Sequence, residues 1–286
     1  MADRDGFIWF NGQLVPWRDA NTHLLSHGLH YASVVFEGER AYNGKVFRLQ
    51  EHSQRLIDSA KMLRMTIPYS VNEIMTATEE VVKANKLRDC YIRPIAYRGP
   101  EVTGLLPSSA PAHVAIAVWE WPSYFDTATK MKGIRLTFAE WQRPSPKTEP
   151  VHSKCAGLYM ICSLAKMAAE EEGYNDAMFL DYRGLVAEAT GANVFFKMKD
   201  GTIHTPKPDC FLDGITKHTV SDMLRRQGYT IVERHIKPEE LRDATECFLT
   251  GTAAEVTPVS QIGEYHFQPT DFSYKLVKEF MTLVQQ

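Results

Sequence analysis

PVHSKCAGLYMIC, Pro150–Cys162, sets Lys154 among small and apolar residues. It stands just before a run that reads as a buried helix over 155–172, closed by Gly173. Lysine is among the side chains least often fully buried. A loop lysine ordinarily packs its stem and keeps its ammonium wet. An ammonium taken out of water loses proton affinity instead, and the free amine can then attack a carbonyl.

Working outward, LVAEATGANVFF carries Glu188 inside an otherwise apolar, strand-like run. A carboxylate there either faces water across a hairpin or pairs with a buried cation in a charge-assisted hydrogen bond. LDGITKHTV opens a helix at Gly214-Ile215-Thr216, where free amides and the positive dipole end suit an anion. TGTAAEVTP offers a second small-residue turn of N–H donors at Gly251–Ala254. Arg55 shares a helical stretch with His52 and Leu56 and can supply a lasting positive charge. Each feature alone is ordinary. A nucleophilic lysine, an acid and an anion site are together what pyridoxal 5'-phosphate demands.

The chain has 286 residues and a formal net charge of −3, so charge alone suggests no nucleic-acid or acidic-membrane partner. No apolar run is long enough to span a bilayer, and MADRDGFIWF has no signal-peptide pattern. The five cysteines (90, 155, 162, 210, 247) are scattered and in no metal spacing, which predicts a reducing cytoplasm and no metal.

Residues 1–120 read as a smaller α/β domain. FIWFNGQLVPW is a strand pair turning at Asn11-Gly12. Helical spacing covers 49–64, and a Ser70–Glu73 capping box opens a helix ending near Asn85. CYIRPIAY and HVAIAVW are strands. Residues 121–133 read as an interdomain linker. The larger domain, 134–286, mixes strands and helices: a strand at 134–139, hairpins over 177–190 and 193–205, a helix at 215–227, strands at 230–236 and 246–250, and a last helix near 272–284. The helices interrupt the strands irregularly, so the sheets are of mixed α+β type rather than a regular βαβ alternation.

Taken in order, FIWFNGQLVPW, SHGLHYASVVFEGERAY, EHSQRLIDSAK, YIRP, SKCAGLY, GYNDAMFLD, VAEATGANVF, GIT and GTAAEVTPV resemble the class IV (fold-type IV) pyridoxal phosphate aminotransferases over nearly the whole chain. The branched-chain amino acid aminotransferases are nearest. The joint spacing carries the resemblance: the lysine, a tyrosine five residues on and a glutamate thirty-four residues on. It implies two α/β domains with the cofactor in the cleft, a homodimer, and Tyr31 near the neighbouring subunit's contribution. Lys154 resembles the Schiff-base lysine and proton shuttle, Tyr159 the partner of the cofactor's phenolic oxygen, and Glu188 that of its ring nitrogen. Arg55, Gly191, Leu212, Ile215, Thr216 and Thr252 are similar to the phosphate and ring contacts. Ala253, beside Thr252, matches a backbone donor to the substrate α-carboxylate. The implied reaction is ping-pong exchange of an amino group between an amino acid and a 2-oxo acid.

Strand alternation puts Tyr91 and Arg93 on one face, able to grip a carboxylate. Arg93 resembles the residue that meets glutamate's distal carboxylate, with Arg40 nearby. Tyr31, Phe36, Trp121 and Tyr124 match an aromatic wall around the side chain. Two positions depart from the pattern. Glu39 stands where an apolar residue is common, and Arg98 where a small one is. Each reads as a solvated charge, as half of an ion pair at the pocket mouth, or, for Arg98, as a relocated carboxylate contact that would need a bulge near Pro94 or Gly99. (R)-amine and D-amino acid transaminases of the same fold are therefore alternatives, and an aminodeoxychorismate lyase is a further one. Rivals from other classes are a Cys155–His152 hydrolase and a catalytically dead binding protein.

Overall fold

The computed structural model describes residues 3–107, 109–121 and 127–286. The chain divides into two compact units, Met1–Pro122 with Ser153–Leu158, and Ser123–His152 with Tyr159–Gln286. The sequence reading puts Ser153–Leu158 in the larger domain, whereas these residues, Lys154 among them, cluster with the first unit. Of the expected linker, Thr127–Lys132 is helical.

In the first unit the strands run in the order Gln13–Pro16, Phe7–Phe10, Ala112–Trp119, Cys90–Arg98, Glu39–Tyr42 and Lys45–Val46, with Val34–Phe36 also paired to Cys90–Arg98. Asn11 and Gly12 both take positive φ, 48° and 97°, as a tight two-residue hairpin requires. Helices Leu49–Met62 and Val71–Ala84 cover one face. The second opens with a complete capping box between Ser70 and Glu73. Burial alternates along the two long strands. Ile92, Ala96, Val114 and Ile116 are fully buried beneath these helices with Leu56, Ile74 and Val81. Cys90–Arg98 pairs with Ala112–Trp119 without a register shift from Tyr91 to Arg98. Arg98 therefore lies on the helix side with Ile92, opposite to Tyr91 and Arg93.

The second unit holds a mixed sheet ordered Val186–Ala189, Asp176–Leu180, Ile134–Phe138, Glu255–Ile262, Ala244–Gly251, Asn193–Met198, Ile203–Pro206 and Ile231–Arg234, with Tyr265–His266 beside Glu255–Ile262. One core gathers Ile134, Leu136, Met178, Val194, Leu249 and Val259. Helix Met160–Glu171 packs Ala165 and Ala169 against Phe179 and Ala187 in another. Strand Glu255–Ile262 has no counterpart in the sequence reading. Pro258 argues against a central strand. It fits because it sits opposite Phe248 on one side, while pairing to Ile134–Phe138 begins only at Val259.

Candidate active site

In the first unit, Lys154 is fixed through its main chain. Its amide donates to Ser59 Oγ at 3.0 Å, and its carbonyl accepts from the Phe36 amide at 3.1 Å. Ser153 Oγ donates to the Ser59 carbonyl at 3.0 Å. The side chain is partly buried, with Nζ 5.1 Å from the Phe36 ring centre. On the same side, the Arg93 guanidinium lies 4.8 Å from the Phe36 ring and donates to Tyr91 Oη at 2.9 Å. Gly38 is required here, because a Cβ would collide with the Tyr91 hydroxyl. Tyr91 meets Trp121 edge-on at 4.4 Å, and Arg40 Nη2 donates to the Trp121 carbonyl at 3.3 Å. Phe36, Arg40, Tyr91, Arg93, Trp121 and Lys154 thus form one constellation. Tyr31 is 46% exposed, its ring 4.7 Å from that of His27. Tyr124 lies outside the described residues.

Arg55 stands on helix Leu49–Met62, four residues before the Ser59 that holds the Lys154 amide. Its Nε and Nη2 donate to the two oxygens of Glu37 at 2.6 and 2.8 Å. Glu37 is fully buried and also lies 2.7 Å from His52 Nδ1. Burial would raise the Glu37 carboxyl, but the Arg55 charge and the hydrogen bonds from Arg55 and His52 hold it well below the usual range. Burial lowers His52, so the neutral ring gives its Nδ1 proton to Glu37.

Arg98 is corrected from the sequence reading. No bulge brings it round, and its Nη2 donates to the carbonyls of Leu63 and Arg64 at 3.1 and 2.6 Å. It closes the C-terminal end of helix Leu49–Met62, where orphan carbonyls and the negative dipole end favour a cation. Glu39 is not its ion-pair partner, nor is either residue a solvated charge: both are buried.

In the second unit, Glu188 lies 3.4 Å from Arg143 Nε and 3.4 Å from Asn193 Nδ2. Arg143 is held by main-chain bonds to Leu180 and Tyr182 at 2.8 and 3.0 Å. The same Asn193 amide donates to the Leu212 carbonyl at 3.0 Å and accepts from the Gly214 amide at 3.0 Å. A Cβ at Gly214 would collide with Asn193, so glycine is needed at this helix start. One side chain therefore ties the acid to the first turn of helix Ile215–Arg226, whose N-cap Gly214 provides no side-chain cap. Thr216 is buried and Ile215 partly so. The Gly191 carbonyl reaches Gly251, next to the turn Thr252–Ala254. That turn closes a hairpin in which Glu255 takes a φ of 56°, a strained choice for a bulky residue. Lys130 Nζ holds Glu255 Oε2 at 2.8 Å, both side chains being buried. Tyr159 is partly buried against the core beneath helix Met160–Glu171. An acid tied to an uncapped helix start is a donor and acceptor set that fits a protonated ring nitrogen and a phosphate.

Asn193, Arg143, Glu37 and His52 were not singled out as site residues from sequence. The available signal was a polar residue inside an apolar strand, as in GANVFF and VVFEG. Among the described residues, Asp181, Asp209 and Cys210 have metal-ligand spacing, but the Arg183 guanidinium bridges both carboxylates. Cys155 is buried and His152 exposed, an arrangement unlike a nucleophile–base pair.

Residues 34–262 match the family described as Amino-transferase class IV. The chain belongs to the class IV aminotransferases, and its mixed two-sheet fold is that of fold-type IV enzymes. It is 44% identical over 266 residues to a branched-chain-amino-acid aminotransferase of Pseudomonas aeruginosa, covering 92% of this chain and 86% of that protein. The branched-chain aminotransferase of Thermoproteus uzoniensis with norvaline superposes with a TM-score of 0.94 at 34% identity, over 99% of this chain and 95% of that one. The T.th. branched-chain amino acid aminotransferase complexed with N-(5'-phosphopyridoxyl)-L-glutamate does so at 0.92 and 40%, with the same coverage.

Proposed function

We propose that the protein is a pyridoxal 5'-phosphate-dependent transaminase that moves an amino group between a branched-chain L-amino acid and 2-oxoglutarate. The carrying observation is the Asn193 bridge, which couples Glu188 to an uncapped helix start in the way one cofactor with a ring nitrogen and a phosphate needs. Lys154 is the amine that attaches the cofactor. The bound cofactor supplies an electron sink for the substrate's α-carbon. Displaced from the cofactor by the incoming substrate amine, the freed Lys154 Nζ would take the α-proton as base and then give a proton back as acid. Glu188, oriented by Arg143 and Asn193, accepts the hydrogen bond of the ring nitrogen. Tyr159 holds the phenolic oxygen. Arg55, the first-turn amides at Ile215 and Thr216, and Thr252 hold the phosphate, with Gly191 and Leu212 lining the ring. The Ala253 amide meets the substrate α-carboxylate.

One pocket takes two side chains in turn. Phe36 and Trp121 offer an apolar surface, and Tyr31 is a further candidate for the wall. Tyr91, Arg93 and Arg40 offer donors for glutamate's distal carboxylate. Relatives with norvaline or a glutamate adduct support this dual use. Exposed Leu24, Leu29, Leu105 and Leu106, at 62–79%, lie in the same unit as Tyr31 and support a homodimer. All five cysteines are free and buried, and no helix among the described residues is long and apolar enough to cross a membrane. These features fit a cytoplasmic enzyme.

Steady-state assays with 2-oxoglutarate and leucine, D-alanine or (R)-1-phenylethylamine test the reading. Leucine is turned over with the parallel double-reciprocal lines of a ping-pong reaction, and the other two donors are poor. Absence of leucine turnover contradicts the assignment.

A further inference from the structure

The first unit buries two carboxyls two residues apart. Glu37 and Glu39 are both 0% exposed. Glu37 is satisfied by Arg55 and His52. Neither oxygen of Glu39 has a hydrogen-bond partner. The residue opposite it on the paired strand is the apolar Ile92. The charged groups that act on it are Glu37 on its own segment and Arg55 on helix Leu49–Met62; His52, which the Lys154 charge reaches, is bound to the same Glu37. Tyr91 and Arg93 of the paired strand face the other way, toward Phe36 and Gly38.

An ionised carboxylate buried without a donor is strongly disfavoured, and a second negative charge beside Glu37 adds repulsion. We propose that Glu39 is stored as a neutral carboxylic acid, which leaves Arg55 opposed by one carboxylate, that of Glu37, instead of two. The charges of Arg55 and ionised Glu37 then balance, with His52 neutral. Ionising Glu39 adds a second negative charge against Arg55, draws the guanidinium back and opposes an incoming phosphate. Burial first, and Glu37 second, push the Glu39 carboxyl well above its usual range, against the opposing pull of Arg55. The sign follows: the neutral form is at no disadvantage below the ordinary carboxylate range, and stability declines as pH climbs from there through the raised value. This inference rests on reading Arg55 as the phosphate-holding cation.

Two measurements on the full-length protein, cleared of cofactor, test it. Infrared difference spectroscopy at pH 7 compares the wild type with Glu39→Gln. Binding of pyridoxamine 5'-phosphate, which has no aldehyde to link to Lys154, is followed from pH 7 to about pH 10. The wild type shows the carbonyl stretch of a protonated carboxylic acid that Glu39→Gln lacks. The carboxylic band is followed over the same pH range, and where it is lost the ratio of wild-type to variant affinity, in which titrations common to both cancel, falls about tenfold. Glu39→Leu, which also removes the acid, gives the same ratio and serves if the glutamine variant folds poorly. No carboxylic band at position 39 at pH 7, or loss of that band with a constant ratio, overturns the proposal while leaving the reading of Arg55 intact. Failure of every protein to bind at pH 7 overturns that reading and the proposal with it.

Discussion

Glu37 anchors the charged cluster of the first unit, holding both Arg55 and His52 while fully buried. Glu37→Gln keeps the shape but removes the charge opposing Arg55, and is expected to cost about 3–5 kcal/mol in denaturant unfolding. Because the folded-state carboxyl lies below its ordinary value of 4.5, the stability it contributes is complete above that value. That contribution drains away as pH falls below it. Glu37→Gln therefore flattens the acid limb of the stability profile, and an unchanged limb contradicts this. The candidate site residues legible in sequence are those with a motif position: Lys154, Glu188, Arg55 and the GIT and GTAA turns. Glu37, His52, Arg143 and Asn193 act through partners 5 to 45 positions away, and single-chain spacing carries no record of such contacts.

Among elements, strand Cys90–Arg98 shows how parity decides a role. Its unbroken register sends Tyr91 and Arg93 to one face and Arg98 to the helix end on the other. Arg98→Met removes two charge-assisted bonds to carbonyls and lowers stability by about 1.5–3 kcal/mol, read as a drop in Tm. Turnover of leucine and 2-oxoglutarate persists with unchanged KM. A selective rise in the KM for 2-oxoglutarate without a drop in Tm contradicts this placement. Helices with caps and hairpins with Asn-Gly or Asp-Gly turns were legible, because their signals are local. Strand Glu255–Ile262 was not. It opens on a left-handed glutamate clamped by the distant Lys130 and contains a proline, so its local signals point away from a strand.

For the whole molecule, sequence gives no sign that Ser153–Leu158 returns to cluster with the first unit, where Ser59 and Val35 hold it. No composition shift marks that return. Exposed leucines in the unit that holds Tyr31 predict a dimer in sedimentation velocity at micromolar concentration. Leu29→Asp with Leu106→Asp is expected to give a folded monomer with impaired turnover. A monomeric wild type contradicts the dimer.

Lys154 can be tested by its own covalent chemistry. The protein is saturated with pyridoxal 5'-phosphate, reduced with borohydride, and analysed by intact mass and peptide mapping. One added phosphopyridoxyl group per chain, located on Lys154 and missing from Lys154→Ala, is the predicted result. No adduct, or an adduct on a different lysine, contradicts the assignment.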